Sequence, residues 1–406
     1  MRREVEIRRL LAGLAAPDEV NAQRRSWQVV RAAFAEREPL PWRRRNLRPV
    51  LVLATAIAVV AAVLSPPGRA VLDELRETIG RERVVGVEQA QPALFRLPAR
   101  GQVLAASRRG SWIVQPDGSK RLLRGYREPA WSPHGIYVAA IRGSELVALD
   151  PKGRLRWSLA RPLVALPTWT GDRRDTRVAY LSGLRQPRGR SSRAPVRWAV
   201  RVVGGDGRGD RLLSPNGAHV RPAWRPGPER HLAFVERRGS LRVVDADTGR
   251  PLWRAARVNA KSATLEWSDD GRRLLLADGR RVRVFDARGR LVRSHEPRRG
   301  HFVLDATFRP GSHAFAYSTV HPPTGRGRVH VAVSASREVF AGAGWFANLA
   351  WAPSGRWLGL TWDEANQWVF LRVAGQRVRQ VEAVSNISAQ LGTHPYLAGW
   401  CCASSR

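Results

Sequence analysis

The feature that most constrains this chain is an aromatic motif that keeps returning along it. It reads Pro129-Ala-Trp-Ser-Pro-His-Gly135, then Pro222-Ala-Trp-Arg-Pro-Gly227, Leu265-Glu-Trp-Ser-Asp-Asp-Gly271 and Leu349-Ala-Trp-Ala-Pro-Ser-Gly355. Weaker copies lie at Pro167-Thr-Trp169 and Ala306-Thr-Phe308. Short apolar runs follow the motif, such as Ile136 to Ile141, His231 to Val235 and Arg273 to Ala277. The anchoring residues Trp131, Trp169, Trp224, Trp267, Phe308 and Trp351 are 38, 55, 43, 41 and 43 residues apart. The longest interval contains a Ser/Arg/Gly-rich insertion from Gln186 to Pro195.

Intervals of this size hold four short strands each, the unit of a β-propeller blade. A single alternating sheet cannot bury both faces, so each must stack on the next through its large aromatic residue. The Ser-Pro-x-Gly element supplies the tight turn, with Pro presetting φ and Gly accepting a positive one. The expected fold is therefore an all-β β-propeller over residues 91–406. Residues 101–124 read as strands with no anchor before them, whereas Tyr396 to Cys402 reads as an anchor strand, around Trp400, with nothing after it. Joining the two leaves no open sheet edge. The sequence predicts seven four-stranded blades, closed by the C-terminal strand, with six or eight as the alternatives.

Upstream, Pro49 to Gly68 is a run of 20 residues without a charge. As a helix it covers the hydrocarbon thickness of a bilayer. Arg43, Arg44, Arg45 and Arg48 crowd its N-terminal flank, while Asp73, Glu74 and Glu77 follow it. The positive-inside rule then places the N-terminus in the cytoplasm and the propeller outside a single-pass membrane anchor. A cleaved leader is a poorer reading, because the charged segment before the apolar run is too long. The expected organisation is a basic helical cytoplasmic tail over 1–48, a transmembrane helix over 49–67, and a juxtamembrane helix and linker over 68–90. Apolar stripes in the tail (Ile7, Leu10, Leu11, Leu14; then Val20, Trp27, Val30, Phe34) suit a cytoplasmic partner or the membrane surface.

The formal charge of +35 invites a nucleic-acid reading. Against it, the basic residues are scattered in short runs beside turns, and all but Lys120, Lys152 and Lys261 are arginine. No nucleic acid is expected as partner, although such a surface attracts anionic groups. The only cysteines, Cys401 and Cys402, are adjacent and read as two small strand residues, or else as a ring between neighbours. None of the nine His has a metal-binding spacing, and no Gly-x-Ser-x-Gly element occurs. Asp245-Ala-Asp247-Thr-Gly249 and Asp269-Asp270-Gly271 read as β-turns rather than cation loops. Asp363 and Glu364, in a loop after a strand, are the one adjacent carboxylate pair considered for acid–base work. No catalytic, cofactor-binding or metal-binding residue is assigned, and no cofactor is expected.

The Trp-Ser-Pro-x-Gly elements at 131, 267 and 351 resemble the TolB-like and WD-repeat-like propellers of bacterial envelopes. Ala148 to Trp157 and Val244 to Trp253 also resemble the quinoprotein-type repeat, which implies architecture and no bound quinone. The tail and membrane segment have the outline of a membrane-tethered anti-sigma factor, without the His and Cys of the zinc-type version. The whole chain looks like actinobacterial membrane-anchored propeller proteins, a family with no activity to transfer. With no catalytic motif in view, the expected function is a non-catalytic module whose loops around the propeller channel bind an envelope protein, peptide or glycan, with the tail relaying occupancy inward. The alternative is an envelope hydrolase or quinone-linked oxidoreductase at the propeller channel. Acidic side chains clustered at one rim would favour the enzyme; an aromatic and arginine-lined rim would favour binding.

Overall fold

The computed structural model describes residues 87–89, 96–171, 175–183, 196–256 and 258–402. The expected tail, the membrane span over 49–67 and the insertion loop lie outside the described residues, as does the linker except for 87–89. Among the described residues no helix is long and apolar enough to cross a membrane. Among those residues helix is confined to Ile387–Leu391 and a 3-10 turn at Pro322–Thr324. Everything else is antiparallel strand and turn, stacked as a β-propeller.

The strand pattern follows from burial on one face or two. In the sheet spanning 127–160, the middle strands Val138–Arg142 and Glu145–Leu149 are buried almost throughout. They lie between neighbouring sheets and read as unbroken apolar runs. The outer strand Leu155–Ala160 alternates half-buried with exposed residues, as a strand with one wet face must. The turns repeat as well: Gly135, Gly271 and Gly355 donate their N–H to Ser132, Ser268 and Ala352 at 2.9, 2.8 and 2.8 Å.

Seven separate blades are not what the pairing gives. Among the described residues the strands form six sheets. Five are blade-sized, four with four strands and one with five, and the sixth is a continuous eight-stranded sheet. The double sheet arises because Arg211–Gly217, the last strand of one repeat, runs on beside His231–Glu236 of the next. Gly217 pairs with Glu236. Ala218 N–H then donates to Val235 at 2.8 Å, and Arg237 N–H to Asn216 at 2.9 Å. Only five residues separate Gly217 from Ala223, where the next first strand begins. So short a connection keeps the two runs side by side, and two spacing units of the sequence become one sheet.

The five-stranded sheet joins the ends of the fold. Tyr396–Cys401 pairs with Gln102–Ser107, placing Trp400 opposite Val103 and Cys401 opposite Gln102. On its other side Val87–Gln89 pairs with Lys120–Arg124, so the expected linker over 68–90 ends in a strand. Val103, Trp112, Trp368, Phe370, Leu397 and Trp400 pack in one core between this sheet and the 346–385 sheet. Cys401 and Cys402 are bonded to each other rather than standing as two free strand residues.

Two arginines couple sheets directly. Arg225 and Arg309 each follow an anchor, and each reaches the turn of the next sheet, donating through Nε to Gly271 at 2.8 Å and Gly355 at 2.6 Å. Their guanidinium groups lie 5.8 Å from the ring centre of Trp267 and 5.4 Å from that of Trp351. The receiving glycines have no room for a side chain: a Cβ on Gly271 would stand 2.8 Å from Pro226 O.

Deleting residues 396–406 should expose the 102–107 edge and replace cooperative unfolding by aggregation, seen by light scattering and denaturant titration. Arg309→Ala should cost about 1 to 3 kcal/mol in a urea titration, from the lost stack and the lost donor to Gly355. An unchanged midpoint would show that the arginine contributes nothing to coupling.

Candidate functional site

All seven expected anchors stand on the first strands of their repeats: Trp131, Trp169, Trp224, Trp267, Phe308, Trp351 and Trp400. They are core residues, and all but the half-buried Trp131 are at most 9% exposed. First strands of neighbouring repeats touch around a closed circuit, in which Tyr396–Cys401 meets both Arg127–Trp131 and Phe346–Trp351.

A second ring of positions lies three residues before the anchors, at Glu128, Leu166, Arg221, Asp305 and Asn348. Glu128, Leu166 and Asn348 have φ of 49, 52 and 55°, in the left-handed region. The ladders shift register around 127–130, 303–305 and 347–350. Such bulges re-aim a side chain out of the regular alternation. Here they carry carboxylates to the adjoining first strand. Glu128 Oε2 accepts from Leu166 N–H at 2.6 Å, and Asp305 Oδ2 accepts from Leu349 N–H at 2.8 Å. Asp305 Oδ1 also accepts from Ala306 N–H at 2.8 Å.

Protein surrounds these groups, and that governs their protonation. Burial pushes the Asp305 carboxyl up to about 6, although the amides of Leu349, Ala306 and Asn348 pull the other way. Burial pushes Glu266, on the neighbouring first strand, up to about 8, with Asp305 and Asp269 adding repulsion. Hydrogen bonds from Thr307 and the Phe308 amide oppose that rise. Burial lowers Arg221, while Tyr396 and Glu128 partly offset it. All three side chains nonetheless keep some contact with solvent, which moderates the shifts. Sequence reasoning missed this ring, although a partial signal was present: Glu128, Arg221, Asp305 and Asn348 are polar residues three positions before an aromatic anchor, while Leu166 breaks the pattern.

The arrangement joins sheets: both Asp305 oxygens accept from amides, and Glu128 Oε2 accepts from the amide of the next first strand. The carboxylate pair considered for acid–base work is split. Asp363 Oδ2 contacts His394 Nδ1 at 2.9 Å, whereas Glu364 Oε2 accepts from Trp345 N–H at 3.0 Å. Asp245 closes a turn by accepting from the amides of Asp247 and Thr248, each at 2.9 Å. Asp270 pairs with His313 at 2.9 Å. No group of three or more potential metal ligands occurs among the described residues.

The concave surfaces have a different chemistry. A cleft of about 680 Å³ opens between the 98–100 segment and the 346–385 sheet, with Arg100, Arg356, Arg372 and Trp357 among its lining residues. Glu382 is its one acidic group, and it already accepts from Gln380 Nε2 at 2.7 Å.

No protein-family profile and no curated protein matches this chain. Several solved structures resemble it in fold. A chain of the mitotic checkpoint complex has a TM-score of 0.48 at 14% identity, covering 64% of this chain and 78% of that one. The Myceliophteria thermophila Cps50 (Swd1) β-propeller domain gives 0.46 at 13%, covering 64% and 85%. Kuenenia stuttgartiensis hydrazine synthase gives 0.46 at 14%, covering 61% and 76%. At this level of likeness the TolB-like and actinobacterial resemblances gain no support, and the propeller assignment stands on the strand pairing itself.

The sign of the pH dependence follows from the two raised carboxyls. The folded chain holds these protons above pH 4.5, where the unfolded chain has released them. Their contribution to stability is therefore full at low pH and is lost as pH rises through about 6 and then about 8. Glu266→Gln should flatten the decline toward pH 8 by on the order of 1 kcal/mol, read from denaturant midpoints at a series of pH values.

Proposed function

We propose that this chain is a membrane-anchored, extracytoplasmic propeller that binds an acidic segment of an envelope protein without catalysis. The observation that carries the reading is the cleft lined by Arg100, Arg356, Arg372 and Trp357. Convergent guanidinium groups recognise carboxylates by paired hydrogen bonds, and clefts of one charge sign focus an oppositely charged partner. Asp305 supports the same side of the choice, since both its oxygens are spent on neighbouring amides. Placement outside the membrane rests on the uncharged run from Pro49 to Gly68 and the arginines before it. The tail over 1–48 would then report occupancy to a cytoplasmic partner.

The test uses the full chain in detergent, cross-linked to envelope proteins and compared with the triple variant R100A/R356A/R372A. Loss of the three arginines should reduce recovery of the specific partner roughly tenfold and remove its salt dependence. Equal recovery by both proteins would rule out the cleft. Protection of a C-terminal protease tag in intact cells but not in lysed ones would place the propeller inside and overturn the topology. Turnover of an envelope substrate, abolished by Glu266→Gln, would replace binding with the enzyme reading.

A further inference from the structure

A second recess, away from the arginine cleft, has the opposite electrostatic character. It forms around Ala343–Trp345, the loop leading from strand Ser336–Ala343 into strand Phe346–Trp351. Three hydrogen bonds hold this loop. Gly344 N–H donates to Gly325 O at 2.6 Å, Trp362 Nε1 to Ala343 O at 2.8 Å, and Trp345 N–H to Glu364 Oε2 at 3.0 Å. Between the loop and the turns at 325 and 364–365 lies a space of about 440 Å³.

Its walls are two indoles, bare backbone and one acid. Trp345 is 49% exposed, a large apolar surface left open to solvent. Trp362 is held edge-on by Phe340 and Phe346, with ring centres 6.2 and 5.3 Å away, so its orientation is set by packing. Gly344 has φ of 109°, and a Cβ there would come 2.7 Å from Trp362 Nε1 and 2.8 Å from Glu364 Oε2. A side chain at 344 would therefore collide with both walls. In a chain with 69 basic against 34 acidic residues, no lining residue is basic, and the single ionisable group is Glu364.

Such a site selects among ligand classes. Indole faces and a carboxylate attract cations through the ring quadrupole and through charge. A sugar needs several directed donors and acceptors, but Trp345 N–H, Gly344 N–H and Trp362 Nε1 are all committed to protein acceptors. A primary ammonium is strongly hydrated and resists leaving water for an apolar wall. A quaternary ammonium carries its charge beneath methyl groups, so it satisfies the carboxylate and the indoles together. We propose that the recess formed by Trp345, Trp362, Gly344 and Glu364 is a binding site for quaternary ammonium groups. The site is independent of the arginine cleft, and failure of the acidic-partner reading leaves it untouched.

The test is calorimetric titration of the full chain in a detergent without a choline headgroup. Three probes are used: choline, a short peptide carrying N-trimethyllysine, and 3,3-dimethylbutanol, the uncharged isostere of choline. Both cations should bind with dissociation constants on the order of 1 mM or tighter, and the isostere at least about tenfold more weakly. Tighter binding of the peptide would assign the source to a protein partner, and equal affinity to a free solute. Glu364→Gln keeps an oxygen for Trp345 N–H yet removes the charge, and should weaken both cations at least about fivefold. Trp345→Ala, at an exposed position, should do the same while leaving the unfolding midpoint unchanged. Absence of binding up to about 20 mM, equal affinity for the isostere, or unaltered affinity in Glu364→Gln would each overturn the proposal.

Discussion

Backbone hydrogen bonding between Gln102–Ser107 and Tyr396–Cys401 is the constraint on which the rest of the structure depends. It unites the two ends of the described chain in one sheet, so a single pairing closes the circuit of first strands. Without it, the 102–107 strand would carry unpaired donors and acceptors along a buried edge, at a cost no local packing could offset. The pairing also brings Trp400 against Phe370, with ring centres 5.5 Å apart. Hydrogen bonding along the sheet and aromatic packing between sheets therefore reinforce each other at the same residue.

Between sheets, three devices share the work. Aromatic anchors fill the interfaces, arginines clasp the next turn, and carboxylates on bulged first strands accept the next strand's amides. The last device sets up a tension. A carboxylate bonded to amides favours the charged form, yet burial favours the neutral one, and in Asp305 and Glu266 burial prevails. The centre of the fold consequently trades some stability as pH rises for directional links between sheets that apolar packing alone would not supply.

This division of labour bears on function. The carboxylates of Glu128 and Asp305 serve the links between first strands, while two open surfaces differ in sign. One cleft gathers arginines, and one recess pairs a carboxylate with indoles. A propeller is well suited to this, because loops joining rigid sheets vary without disturbing the stacked strands beneath them. A fold does not fix an activity, which resides in side chains such as these.

The repeat, the strands and the anchor positions were legible in the amino-acid sequence because they are local patterns. Alternation, a Gly-bearing turn and an aromatic at a regular interval each reflect short-range constraint on one sheet. Even the meeting of Trp400 with the strand near Val103 could be inferred, since each end lacked what the other supplied. What the sequence left open depended on how far one strand continues beside another. The extension of Arg211–Gly217 onto the next repeat turned two spacing units into one sheet, and no residue pattern marks the difference. Likewise Glu128, Arg221 and Asp305 lie in separate repeats, and Trp345 and Glu364 in separate loops. The sequence could determine which residues each strand and loop would carry. Only the tertiary structure could decide which of them meet, because burial, shared amides and opposing charge act between sheets through space and leave no local signature.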